Sequence, residues 1–176
     1  KALRKAVRDV FGNAAQVQRC QVHKVRNVIE HLPERERARV AARMRDAYRC
    51  GDADRAKRLL LGLARQLEAD HPGAAASLRE GLDETLTVLR LALSGALLRT
   101  LASTNVIENL NGLIRVRLRN VRKWRNGTMV LRWVVAALED AKGCFRRVRG
   151  HGQIGQLVAA LNATTHNAID QVSKAA

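Results

Sequence analysis

Apolar residues recur at helical spacing along almost the whole chain. Ala2, Ala6 and Val10, with Leu3 and Val7 beside them, predict a helix over Ala2–Phe11, stopped by Gly12-Asn13. Weak alternation over Ala15–Cys20 predicts a short strand. Helical spacing returns over His23–Leu32 and ends at Pro33. Pro33 suits the first turn of the next helix, and Glu34 and Glu36 favour its N-terminus. That helix is expected to reach Arg49 and stop at Cys50-Gly51. Asp52 is placed to cap a third helix through Asp70, with Ala56, Leu59, Leu60, Leu63 and Leu67 as its core stripe. Pro72 opens a fourth, through Leu91, with Leu78, Leu82, Leu86 and Leu89 inward. Pro33–Leu91 therefore reads as an all-helical bundle.

After a break at Ser94-Gly95, Ser103-Thr104-Asn105 starts a helix through Leu118. A basic loop follows and turns at Asn126-Gly127. Thr128 is placed to cap the next helix, whose inner face would be Leu131, Val134, Val135 and Leu138. Arg146, Arg147 and Arg149 precede Gly150-His151-Gly152, and a short helix over Ile154–Leu161 leads into a weakly patterned tail. No internal repeat, heptad array, glycine-rich phosphate loop or local nucleophile motif is present.

Composition sharpens this outline. Aromatics are 3% of the 176 residues, so Ala, Leu and Val carry the apolar content and favour helices. Lys and Arg number 32 against 16 Asp and Glu, a net charge of +16. A field of that size seeks polyanions, and arginine's planar fork suits phosphate. A solubilising arginine-rich surface is the plainer alternative. Cys20, Cys50 and Cys144 are an odd, scattered set, not a disulfide framework. No apolar run is long enough to span a bilayer and no signal peptide opens the chain. The expected setting is therefore a reducing cytoplasm, with association to the nucleoid when DNA is bound. Lys1 falls at once into helical periodicity, as expected of a piece of something longer.

Three features could carry chemistry. In Ser103–Arg117, Ile107, Leu110, Ile114 and Val121 form an apolar stripe expected to be buried. Glu108, Asn111, Gly112, Arg115 and Arg119 share a neighbouring stripe. Glu108 could hold a divalent cation there, Asn111 and Arg115 could steer a phosphodiester, and Gly112 would let a strand approach. Equally, Asn105-x-x-Glu108 fits a capping box. Cys20-x-x-His23 could be half of a zinc site, but no second pair exists; a strand end leading into a helix is the alternative. The basic run Arg115, Arg117, Arg119, Arg122, Lys123 and Arg125, with Trp124 inside it, could contact phosphate and stack on a base. It could also be a solvated face with Trp124 packed near Trp133.

Taken in order, these segments resemble the mutator-type transposases of bacterial insertion sequences. The likeness lies in Lys1–Val7, then Val17–Val28 with its Cys20-x-x-His23 and Leu32-Pro33. A helical stretch follows, then Ser103-Thr104-Asn105-Val106-Ile107-Glu108-Asn109-Leu110-Asn111 with Ile114-Arg115, and finally Arg119–Arg125 and Leu131-Arg132-Trp133. It covers Lys1 to Leu161. The resemblance implies a mainly α (α+β) chain, the C-terminal part of a ribonuclease-H-like core interrupted by an all-helical insertion. Residues 1–32 would end the first part of the core and 33–98 form the insertion. Residues 99–161 would return to the core with the third acid and the basic DNA-contact region, and 162–176 form a tail. In the family, two aspartates and a glutamate bind magnesium or manganese. Glu108 matches the glutamate, and both aspartates would lie upstream, so this chain alone should be inactive. Implied DNA-binding residues are Asn105, Asn111, Arg115, Arg117, Arg119, Arg122, Lys123 and Arg125. Cys20 and His23 become a family signature that positions the DNA end or braces the core. The implied activity is metal-dependent cleavage and strand transfer at element ends, on double-stranded terminal repeats and target DNA, by a homo-oligomer. The rival from the charge alone is a non-catalytic basic helical protein that binds DNA or RNA.

Overall fold

The computed structural model describes residues 2–12 and 15–174, with side chains for 5–12 and 15–164. Its described residues are mainly helical and include no strand. Helix α1 (Ala2–Phe11) ends on Gly12, whose φ of 74° and N–H bond to the Arg8 carbonyl form a left-handed cap. Asn13 and the side chains of Ala2 and Leu3 lie outside the described residues.

The strand expected at Ala15–Cys20 does not form. That segment has no regular element and no sheet neighbour among the described residues, and hydrogen bonds to the turn and helix beside it replace the missing ladder. Gln18 donates to the Thr85 carbonyl and accepts from the Val88 N–H, Thr87 donates to the Val17 carbonyl, and the Arg19 N–H reaches the Glu84 carbonyl.

The core is a helical bundle of α2 (Gln21–Glu30), α3 (Glu34–Arg49), α4 (Ala53–Leu67) and α5 (Pro72–Arg79). Beyond α5 come a 3-10 turn (Asp83–Thr85) and α6 (Thr87–Arg90). Met44, Leu60, Leu78 and Leu86 are fully buried within it. Each such side chain contributes on the order of 1.5–3 kcal/mol through removal from water. Cys20 caps α2, so that helix starts before His23, and Pro33 precedes α3 as its N-cap instead of sitting in its first turn. Asp52 caps α4 as expected, accepting from the Arg55 N–H at 2.6 Å. Leu59 departs from its assigned stripe and is 48% exposed, because the buried side follows Ala56, Leu60, Leu63, Ala64 and Leu67.

The single helix expected over Pro72–Leu91 is broken. It stops at Arg79, and Gly81 takes a φ of 61°. A Cβ there would overlap the Arg19 guanidinium. The four leucines are nonetheless all buried. The break is fixed from another helix. Lys24, 4% exposed, donates from Nζ to the Ser77 carbonyl at 2.6 Å and to the Glu80 carbonyl. These are groups that the end of a helix leaves unpaired.

Helix α7 (Gly95–Leu101), which the pattern did not predict, links the bundle to α8 (Asn105–Leu118) and α9 (Gly127–Ala141). These two pack against each other, and Arg117 Nε pairs with Asp140 Oδ2 at 2.6 Å. The stripe expected to be buried on α8 is only half-buried at Leu110, Ile114 and Val121, and Ile107 is 51% exposed. On α9 the cap is Asn126, which accepts from the Met129 N–H, and not Thr128. Its buried side is Ala137 and Ala141, flanked by Val134 and Leu138, so Leu131 and Val135 are exposed. The final helix, α10 (Ile154–Lys174), is far longer than the Ile154–Leu161 segment read from the pattern.

Candidate functional site

The two motifs separated by the bundle meet in space. The Gln21 N–H bonds the Ala102 carbonyl at 2.9 Å, which brings the head of α2 against the end of α7. Cys20 caps α2 by accepting the His23 N–H on its sulfur at 3.5 Å, so the Cys-x-x-His spacing is a helix start. From that first turn His23 projects to Thr104. Its Nδ1 lies 3.3 Å from Thr104 Oγ1, and its Nε2 lies 3.5 Å from Glu108 Oε1. Thr104 Oγ1 donates to the same Glu108 oxygen at 2.5 Å.

Proton accounting constrains this cluster. An ionised carboxylate only accepts, so the Thr104 hydroxyl spends its one proton on Glu108. It must then accept from His23 Nδ1, which fixes that nitrogen as a donor. Cys20 joins the same network. Burial pushes its thiol up, but the hydrogen bond with Thr104 and backbone bonds from His23, Thr104 and Val22 together bring it below the usual range.

The capping box expected between Asn105 and Glu108 is not formed. The Glu108 N–H bonds the Thr104 carbonyl, so Thr104 precedes the helix, and Asn105 is its exposed first residue. The Glu108 side chain is engaged by Thr104 and His23 instead, and is 53% exposed.

Along α8, Asn111 and Arg115 follow Glu108 on one exposed stripe that ends at Arg119. The Arg115 Cα lies about 10 Å further along the axis, at roughly 1.5 Å per residue. A Cβ at Gly112 would meet nothing within 4 Å, so packing does not demand glycine there. Arg115, Arg119, Arg122, Lys123 and Arg125 are exposed and have no ion-pair partner among the described residues. Arg117 is set apart from them, because Asp140 and the Cys144 sulfur take its guanidinium and hold it further into the charged range. Trp124 and Trp133 are both partly exposed.

Lys24 and Thr104 are the residues whose weight the sequence reading missed. Lys24 stands one turn before Val28 on the buried side of α2, and a cation on that stripe was the available signal. Thr104 gave none beyond its place before a helix. Among the described residues no group of three or more His, Cys, Asp or Glu could hold a metal ion, and no helix is long and apolar enough to cross a membrane.

Comparison with known proteins finds insertion-sequence transposases. The chain is 34% identical over 131 residues to the transposase for insertion sequence element ISRM5 of Rhizobium meliloti (strain 1021), covering 74% of this chain and 32% of that protein. It is 29% identical over 142 residues to the transposase for IS256 in transposon Tn4001 of Staphylococcus aureus, covering 80% and 35%. It is 28% identical over 182 residues to a probable insertion-sequence transposase of Corynebacterium diphtheriae, covering 99% and 52%. The chain thus spans about a third of the length of the first two relatives. The family model described as transposase, Mutator family, matches residues 1–147, and the chain belongs to that family.

Proposed function

We propose that this chain supplies the third metal-binding acid and part of the DNA-holding surface of an insertion-sequence transposase. The whole enzyme would cut DNA at the ends of its element and join them to a target. The observation that carries this reading is the convergence of His23 and Thr104 on one oxygen of Glu108, at the head of an exposed stripe of uncompensated arginines. A carboxylate used only to cap a helix would not need a histidine aimed at it.

The residues present fit a hard divalent cation in part. Glu108 offers an oxygen ligand on an exposed face, and both protein contacts fall on Oε1, which leaves Oε2 able to take a cation. Magnesium or manganese would bind Glu108 together with two aspartates that the family resemblance puts upstream, in a ribonuclease-H-like core of the DDE type. A bound cation supplies charge neutralisation at the phosphodiester and an activated water or 3′-hydroxyl.

The chain's own residues do the rest. Thr104 fixes the rotamer of Glu108, and His23 holds Thr104 in turn. Cys20 starts the helix that aims His23. Asn105 and Asn111 lie on either side of Glu108 as hydrogen-bond donors to the DNA, and Gly112 lets backbone approach. Arg115 and Arg119 hold phosphates beside the reacting one, with Arg122, Lys123 and Arg125 extending the track over double-stranded DNA. Arg117 braces α8 on α9 and leaves that track. Residues 33–98 act as the insertion within the core, and two copies of the complete protein would pair the two element ends.

The test is Glu108→Gln in the complete protein, with cleavage of element-end DNA and DNA binding measured together. Loss of cleavage with binding retained is expected. Full cleavage would leave only a basic helical protein that binds nucleic acid without cutting it.

A further inference from the structure

Next to the Glu108 cluster lies a groove of about 760 Å³ between α2, α3 and the α6–α7 segment. Its floor is apolar, formed by Tyr48, Leu89 and Leu93, all buried. The Tyr48 hydroxyl is turned away into the core, where it donates to Thr85 Oγ1 at 3.2 Å. Arg45, Arg49 and Arg99 stand exposed on its rim, and no carboxylate lines it among the described residues. Arg49 makes only a 4.0 Å contact with Asp46 on its own helix, and Arg45 and Arg99 have no ion-pair partner among the described residues. At the mouth are Val22 and Ser103, each the chain neighbour of a residue in the cluster, His23 and Thr104.

We propose that this groove holds an unpaired nucleotide of the DNA strand that passes Glu108, with its base on the apolar floor and its phosphates on Arg45 and Arg99. The assignment rests on the reading of the Glu108 cluster as a DNA-processing centre. An occupant matched to the groove presents an apolar face and negative charge side by side. Duplex DNA keeps its base faces stacked inside and offers phosphates and groove edges. A single-stranded nucleotide offers both at once. The size of the groove falls among sites that take small organic groups. Its opening beside His23 and Thr104 puts it within reach of the strand at the cluster.

The experiment uses the complete protein and two probes, a blunt duplex and the same duplex with a single-stranded oligo-dT tail. Arg45→Ala with Arg99→Ala should weaken binding of the tailed probe about tenfold and flatten its salt dependence by about 0.7 per lost contact. Binding of the blunt duplex should change by less than about twofold, since its contacts lie on α8 and the loop that follows it. Val22→Glu, at an exposed position on the mouth, should also weaken the tailed probe selectively. Arg45→Lys with Arg99→Lys should restore most of the loss, which separates charge from misfolding. Equal losses on both probes would overturn the proposal by reducing the arginines to diffuse surface charge. No loss on either would overturn it in favour of an acidic protein segment or a second copy as the occupant. Glu108→Gln keeps the two readings apart. It tests cleavage and should leave affinity for the tail unchanged, so either reading can fail while the other survives.

Discussion

His23 Nε2 lies 3.5 Å from Glu108 Oε1, although the helices α3 to α7 intervene between them in the sequence. Thr104 completes the link, and its removal leaves both His23 and Glu108 in place. Thr104→Val should therefore lower cleavage by the complete protein about 10–100-fold and raise the metal concentration needed for half-maximal rate. Thr104→Ser, which keeps the hydroxyl, should recover most of the rate. A valine variant with unaltered metal dependence would show that the hydroxyl does not orient Glu108.

The basic residues divide into two groups that a salt titration can separate. Arg115, Arg119 and Arg122 have no acid partner among the described residues, so each alanine variant should reduce the slope of log affinity against log salt by about 0.9 on duplex DNA. Arg117→Ala should leave that slope unchanged, because Asp140 already holds its guanidinium. A slope change at Arg117 as large as at Arg115 would contradict the division.

Removing the buried ammonium of Lys24 exposes the logic of the helix break. Lys24→Met takes its donor from the Ser77 carbonyl and leaves the Glu80 carbonyl to Arg19 alone. The expected loss is about 1–3 kcal/mol, read from denaturant unfolding. Lys5→Ala, which removes an exposed pair with Asp9, should cost no more than about 0.5 kcal/mol.

Glu80 gives the fold a pH dependence. The hydrogen bond from Arg19 holds its carboxyl below the ordinary value, burial opposes this slightly, and the charges of Arg19 and Lys24 lower it further. Its folded value is thus depressed. The stabilisation is fully present above the unfolded value and disappears as pH falls through the folded one. The stability difference between the unaltered protein and Glu80→Gln should therefore shrink as pH falls below the ordinary glutamate range, about 4.3. A difference independent of pH would remove Glu80 from the account.

Two glycines with similar backbone angles should respond differently to alanine. Gly51 has a φ of 77° and open space around its missing side chain, so Gly51→Ala should cost about 1–2 kcal/mol through the backbone alone. Gly150 has a φ of 83°, and a Cβ there would run into the Leu97 backbone. Gly150→Ala should cost clearly more, seen as a larger drop in melting temperature.

The helices of this protein were legible wherever the cause of an element lay within it. The Asp52 cap and the stop at Gly12 are local chemistry and appear as read. The spacing turns Leu78, Leu82, Leu86 and Leu89 inward and they are buried, yet no single helix runs through them. The break depends on Lys24 and Arg19, distant in sequence, and no window over Pro72–Leu91 contains it. Ala15–Cys20 alternates weakly, as a strand would, but its own Gln18 and Arg19 and the Thr87 side chain tie it to α6 and the turn before it. On α9 the periodicity gave a stripe, and the contact with α8 selected a different part of it. For the candidate site, residue types and order pointed to Cys20, His23 and Glu108. Their meeting through Thr104 is a tertiary fact that spacing alone does not encode.

The lacing of Val17, Gln18 and Arg19 onto the turn and helix beside them sets the point at which α2 begins. Helical residues step round the axis by about 100° each. One extra residue between Arg19 and Cys20 would rotate the whole helix by that angle, swinging His23 away from Thr104 and Lys24 out of its burial together. The angular setting of the histidine and the integrity of the bundle are thus governed by a single count of residues, and an insertion there cannot spoil one while sparing the other.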